Sequence, residues 1–324
     1  MGTAVIAAPP QPAARSFLKR LRDGDKAAHL ITLIFAASVF LVTVFLVYEL
    51  WIHSSTSRAK FGLGFLFTSS WDPVAEKFGA LPFIYGTVLT SFLALLISVP
   101  LAVGAAIFLS ELAPPKLSNT CTFLVELLAA VPSVIYGLLA IFTLVPFLSK
   151  YGEPFLKNTV GFLPLFKGAP LGYGYLAAGL VLAIMTFPFI ISISRESLLA
   201  VPIEQREAAL ALGATKWEST WQVVVPHARL GIIGSIFLAL ARALGETMAV
   251  TMVIGNDPSI HASLLKPGYT IAAVIANEFT EATGDLYQGA LVELGLVLFL
   301  ITIILNASAQ LLILATTKKG SKQD

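Results

Sequence analysis

Charge is scarce in this sequence. Asp, Glu, Lys and Arg make up 12% of the 324 residues, about half of the ~25% usual in soluble domains. An ordinary water-soluble globule is thereby excluded. Cysteine is nearly absent: Cys121 stands alone, so neither an intrachain disulfide nor a thiolate metal cluster can form. Histidine occurs only as His29, His53, His227 and His261, scattered along the chain, which supports neither a metal site nor a hydrolase triad. No G-x-x-x-x-G-K-S/T loop is present, so the chain lacks the phosphate cradle of an ATPase. Net charge is only +2, and nothing points to nucleic acid as a partner.

What is present is apolar: 56% of residues are hydrophobic and mean hydropathy is +0.83. Six runs, at about 27–52, 84–112, 119–149, 173–199, 229–254 and 288–316, can each cross a bilayer as a helix of about 20 residues. Helix is the expected form, because a lipid-exposed backbone must satisfy its polar groups internally. The chain therefore reads as an all-α integral membrane protein with six transmembrane helices over 27–316, flanked by tails at 1–26 and 317–324. The first run is too long for a signal-peptide core and no small-residue cleavage site follows it, so it reads as a retained helix.

Basic residues set the orientation. Arg15, Lys19, Arg20, Arg22 and Lys26 share one side with Lys116, Arg195, Arg206, Lys216, Arg229, Lys318, Lys319 and Lys322. The other side has the shorter set Arg58, Lys60, Lys77, Lys150, Lys157, Lys167 and Lys266. Both termini are expected in the cytoplasm, with 200–228 as the long cytoplasmic loop. Pro100, Pro132 and Pro188 fall inside runs and are expected to bend them.

Loop 200–228 contains Glu207-Ala208-Ala209, then Gly213, then Val223-x-Val225-Pro226. Apolar residues following Glu204, Arg206 and Glu207 suggest a short amphipathic helix ended near Gly213, then a second helix leading to span five. Such a helix suits a groove in a soluble partner or a lipid surface. The spacing resembles the E-A-A, three residues, G, nine residues, I-x-L-P motif of ABC importer permeases, with Val at both aliphatic positions. The resemblance implies a type I ABC importer permease architecture. It also implies that Glu207, Ala208, Ala209 and Gly213 contact an ATPase subunit through a coupling helix.

Span five carries Arg242 and Glu246, four residues apart and so expected on one helix face. Arg242 lies 13 residues beyond Arg229, or about 20 Å at ~1.5 Å per residue. A central arginine costs about 2.5–3.5 kcal/mol on insertion scales, so Arg242 is expected to face protein or a watery pathway. The same face carries Gly231, Ser235, Leu238, Ala249, Val253 and Asn256. A guanidinium fork matches an oxyanion; the alternative is a packing ion pair with Glu246. The candidate pathway residues are Arg242, Glu246, Ser235 and Asn256. Glu111 reads as solvated at a span end, and Arg195 with Glu196 as a solvated cap. Glu126 and Glu293 lie deeper, either paired with other helices or lining the pathway.

The segment Ala241-Arg242-Ala243-Leu244-Gly245-Glu246-Thr247-Met248-Ala249-Val250-Thr251 resembles the PstC-type phosphate permease family. So do Gly86-Thr87-Val88-Leu89-Thr90-Ser91, Val131-Pro132-Ser133-Val134-Ile135-Tyr136-Gly137 and Ile275-Ala276-Asn277-Glu278-Phe279. This implies a permease subunit of an ATP-driven phosphate importer in a bacterial inner membrane. The implied partners are a second, PstA-like permease, two PstB-like ATPase subunits holding ATP and Mg²⁺, and a PstS-like periplasmic binding protein. It implies no catalytic residue, no metal and no cofactor on this chain. The alternatives are a permease for sulfate, molybdate or another small solute, and an ATP-independent carrier, which the E-A-A loop argues against.

Overall fold

The structure, a computed structural model, describes residues 12–320. The outer parts of both expected tails, 1–11 and 321–324, lie outside the described residues, as do the side chains of 12–27, 309 and 312–320. The chain divides into two compact units at Ile52. The first is the long helix α1 (Pro12–His53). Between 28 and 46 each of its side chains is exposed, including Phe35 at 68% and Phe40 at 72%. A helix apolar all round needs lipid or protein as its cover.

Besides single turns at Gly64–Phe67 and Pro164–Phe166, the second unit holds the remaining helices. These are α2 (Ser55–Phe61), α3 (Leu81–Leu112), α4 (Pro115–Ala129) and α5 (Ser133–Val160). Then come α6 (Tyr175–Leu199), α7 (Ile203–Ala211), α8 (Lys216–Leu244) and α9 (Met248–Thr251). The last two are α10 (Ile271–Glu278) and α11 (Asp285–Gly320). Among the described residues six helices are long and apolar enough to cross a membrane: α1, α3, α5, α6, α8 and α11.

Two spans differ from the expectation. Helix α4 stops at Ala129, and Pro132, expected within the third span, is extended (φ −60°, ψ 142°) with α5 starting anew at Ser133. The helix long and apolar enough to span is therefore Ser133–Val160, where one over 119–149 was expected. Proline has no N–H to donate and turns the preceding residue away from helix, so the break falls just before it. The fifth span runs Lys216–Leu244 and not 229–254, because the helix ends at Gly245.

Prolines also explain four widened turns. π-Turns cover Phe108–Leu112, Ala140–Leu144, Leu148–Gly152 and Thr220–Val224. Each ends two residues before a proline: Pro114, Pro146, Pro154 and Pro226. In each, the residue before the proline donates to a carbonyl five back: Ala113 to Phe108, Val145 to Ala140, Glu153 to Leu148 and Val225 to Thr220. An ordinary α-turn would drive the pyrrolidine ring into the carbonyl four residues earlier. The wider turn moves that carbonyl aside and keeps the remaining groups bonded. Pro100 and Pro188 stay inside α3 and α6.

Helix α6 is the centre of this unit, with 67% of its spanning window buried against 28–33% for α3, α5, α8 and α11. Toward one end Ile190, Ile191 and Leu198 pack with Ala102, Ala106, Val224 and Ala228. Toward the other, Tyr175, Ala178 and Leu182 pack with Ala249, Val250 and Ile254. Residues 252–270 return from α9 to α10 and are pinned on α3 by the Gly86-Thr87 pair. A Cβ at Gly86 would lie 2.0 Å from the Tyr269 carbonyl oxygen, so only glycine admits that backbone. Thr87 Oγ1 accepts from the Ile271 amide at 3.0 Å. Replacing Gly86 with Ala is expected to cost about 1–3 kcal/mol by overpacking, read as a lower unfolding midpoint in detergent. Gly104→Ala on the same helix is the control, since a Cβ there meets open space; equal midpoints would contradict the account.

Candidate functional site

Helix α7 begins after Pro202 and none of its residues is buried. It ends in a Schellman turn: the Ala214 amide donates to Ala209 O at 3.1 Å and the Gly213 amide to Leu210 O at 3.0 Å. This geometry needs a left-handed residue, and Gly213 has φ +90°. Thr215 then caps α8 reciprocally with Glu218: the Glu218 amide donates to Thr215 Oγ1 and the Thr215 amide to Glu218 Oε2. Glu207 and Ala208 are exposed, Ala209 is half-buried and Leu212 is 91% exposed. A groove of about 480 Å³ runs between α7 and the start of α8, lined by Ala208, Ala209, Leu212, Ala214, Glu218 and Gln222. Beside it Trp217 and Trp221 stack at 5.9 Å on the exposed face of α8.

Arg206 was legible only as a cytoplasmic charge, and Glu111 only as a solvated span end. The structure corrects the reading of Glu111, which is paired and largely buried, and gives Arg206 partners. Arg206 Nη2 and Nε donate to the two oxygens of Glu111 at 3.0 and 3.2 Å. Nη2 also donates to Leu198 O at 2.7 Å, and Nη1 to Val201 O. The two side chains are 19% and 10% exposed. The partners lie 95 residues apart in the chain, so no local pattern announces them. Arg195 is likewise no free cap: it is half-buried and donates to Ser118 Oγ at 3.3 Å.

The expected single helix through Arg242 and Glu246 is interrupted. Helix α8 ends at Leu244, and α9 starts at Met248. Arg242 thus stands in the last turn of α8, exposed, with its Cζ 5.7 Å from the Phe189 ring centroid. Its positive charge sits at the negative end of the helix dipole. Glu246 lies in the break, where its Oε1 accepts from the Ala249 amide at 3.4 Å at the start of α9. No ion pair joins it to Arg242 among the described residues. Asn256 follows α9 in a left-handed conformation, φ +53°, and donates to Thr251 O at 3.2 Å. Ser235 is fully buried and shares a hydrogen bond of 2.8 Å with Ser194 across the α6–α8 contact. Within this chain it packs between two helices and is not open to solvent. Glu293 is buried on α11, and Glu126 is exposed on α4.

The remaining motifs hold the half-helices in place. A Cβ at Gly137 would lie 2.5 Å from Met252 Sδ and 3.2 Å from Ala249 Cα, so this glycine lets α9 lie against α5. Glu278, at the end of α10, accepts from Trp71 Nε1 at 2.8 Å and from Tyr287 Oη at 2.6 Å. Asn277 donates to Tyr269 Oη at 3.0 Å. Burial pushes the Tyr269 phenol up to about 12, so it stays neutral. Trp71 also meets Phe78 and Phe83 edge-on. Sequence reading found the Asn277-Glu278 pair but not the partners that fix it.

Six helices long and apolar enough to span a membrane, with an exposed E-A-A helix, fit a transport permease. The family described as binding-protein-dependent transport system inner membrane component matches residues 98–318. The phosphate transport system permease protein PstC of Xylella fastidiosa (strain 9a5c) is 47% identical over 307 residues, covering 92% of this chain and 94% of its own length. PstC of Mesorhizobium japonicum is 46% identical over 311 residues, 94% and 95% of the two chains. The protein belongs to this family of multi-pass membrane permeases and, within it, to the PstC permeases. Among solved structures, a bacterial ABC transporter that imports the acidic polysaccharide alginate matches with TM-score 0.58 at 17% identity, over 90% of this chain and 98% of that one. The MetNI methionine ABC transporter matches with TM-score 0.53 at 17% identity, over 76% and 99%. The fold is that of a type I ABC importer permease.

Replacing Glu278 with Gln keeps the shape but removes the charge that both donors face, at an expected cost of about 1–2 kcal/mol. The amides of α10 should then exchange with solvent faster in hydrogen-exchange measurements. Protection equal to wild type would show that the carboxylate does not hold α10.

Proposed function

We propose that this chain is the membrane permease of an ATP-driven importer of inorganic phosphate and contributes half of the translocation pathway. What carries the reading is the E-A-A helix α7, ended by a left-handed glycine turn, with Glu207, Ala208 and Leu212 open to a partner. An exposed amphipathic helix with apolar and small residues fits a cleft in a soluble protein. The partner is an ATPase subunit, PstB-like, that holds ATP and Mg²⁺; two such subunits serve this chain and a second, PstA-like permease. A PstS-like binding protein delivers phosphate to the outer face, and both termini of this chain lie in the cytoplasm. Phosphate as the solute rests on the printed name of the relatives and on the chemistry of Arg242. Its exposed guanidinium carries no ion pair among the described residues and is free to meet an oxyanion bidentately. Glu246, four residues on, keeps an anion from being held too firmly. Asn256 offers a further amide near the same break.

The test is labelled phosphate uptake by the reconstituted complex, driven by ATP, with sulfate and molybdate as competitors. Phosphate alone should compete at comparable concentrations; equal competition by the others would overturn the choice of solute. Arg242→Gln should lower uptake about 10–100-fold, the worth of one charge-assisted contact, while the ATPase still co-purifies. Unchanged uptake would remove Arg242 from the pathway. Gly213→Asp, which puts a side chain at φ +90°, should reduce the ATPase recovered with the permease. Recovery at the wild-type level would contradict docking through this turn.

A further inference from the structure

The clasp between Arg206 and Glu111 joins three elements that the sequence keeps far apart. Arg206 belongs to α7, Glu111 to the end of α3, and the two carbonyls it also holds belong to Leu198, in the last turn of α6, and Val201 just beyond it. Four of the five guanidinium N–H groups are engaged, and both carboxylate oxygens of Glu111 accept. The fork geometry suits this set and a lysine ammonium does not. The positive charge also meets the negative end of the α6 dipole.

The rest of α7 has little to hold it. None of its residues is buried, and a groove separates it from the start of α8. The chain itself ties α7 to α6 through residues 200–202 and to α8 through the Gly213 turn, but nothing in the chain ties it to α3. Glu111, moreover, stands within the π-turn Phe108–Leu112, where the helix is widened ahead of Pro114. Such widened turns within helices are rare and frequently sit at functional sites.

We infer that the Arg206–Glu111 clasp transmits displacement of α7 to the ends of α3 and α6, making Arg206 a positioning residue that couples ATP hydrolysis to transport. This rests on the reading of α7 as the ATPase contact. A push on α7 by its partner reaches two core helices at once through one guanidinium with four of its five N–H groups bonded. Without the clasp, α7 can be docked and moved while α3 stays behind.

The experiment uses the complete complex, with both permeases and the ATPase, reconstituted in proteoliposomes. Arg206→Lys, Arg206→Gln, Glu111→Gln and the Gln/Gln double variant are compared for co-purified ATPase, for ATP hydrolysis and for inorganic phosphate taken up per ATP. The lysine variant keeps the charge and guards against a glutamine variant that fails to fold. The expected result is a complex with wild-type ATPase content that hydrolyses ATP but moves about tenfold less phosphate per ATP, within the 5–150-fold span of ordinary coupling energies. The double variant should lose no more than either single change, since each breaks the same link. An unchanged uptake-to-hydrolysis ratio would overturn the proposal. So would a loss of co-purified ATPase in step with uptake, which would make the clasp a support for docking. Failure of the wild-type chain to retain an ATPase would instead overturn the reading of α7 itself.

Discussion

A backbone polar group that loses its partner inside an apolar bundle has no water to turn to. Much of the local architecture follows from that constraint. Prolines at 114, 146, 154 and 226 each take away a donor, and each is preceded by a π-turn that re-pairs the remaining groups one residue further back. The same rule governs the break after Leu244. There the Gly245 amide still reaches Ala241 O, the Glu246 amide reaches Ala243 O, and the Glu246 carboxylate takes up the Ala249 amide. Irregular backbone is tolerated at this place because side chains and tight turns from the chain itself complete its bonding.

Once α8 is interrupted, its continuation has to be held by something other than helix hydrogen bonds. Glycines and short polar side chains do this. Gly137 admits α9 against α5, Gly86 admits the Tyr269 backbone against α3, and Thr87 meets the Ile271 amide. Glu278 gathers Trp71 and Tyr287 around the end of α10. Each of the stretches that resembles the phosphate permeases thus supplies a contact to the segment between α8 and α11. Their shared physical role is to fix the frame in which Arg242 ends.

Counting apolar runs finds the six spanning helices because length and hydropathy do not depend on tertiary contacts. It misplaces the third and the fifth, since a hydropathy window is blind to where the backbone stops. Pro132 held the information for the third, given that proline breaks a helix more readily than it bends one when Val131 is free to extend. For the fifth, Gly245 was the only local sign, and glycine is common within membrane helices. The turn after α7 was legible because Gly213 closing a short helix is a local signal; the Thr215–Glu218 box, equally local, went unread. Ser235 was not, because a small residue on a helix face looks the same whether it lines a passage or packs against Ser194. The Arg206–Glu111 pair was out of reach for a simpler reason: its members meet only when three helix ends are brought together.

Two arginines show how surroundings set the same side chain in two different states. Arg206 is largely buried and has four of its donors filled by Glu111 and two carbonyls. A guanidinium so saturated cannot release a partner to bind a passing anion without stranding a buried carboxylate, and breaking such a pair is costly. Arg242 is exposed and rests on the face of Phe189, which holds the cation without using its in-plane donors. Its fork is therefore unspent, while its position at the end of α8 is set by the break and by the half-helices packed around it. A transport cycle needs both kinds. On the proposed function, Arg206 stays bound so that motion passes through it, and Arg242 binds and lets go. The difference lies in which donors the fold has already occupied.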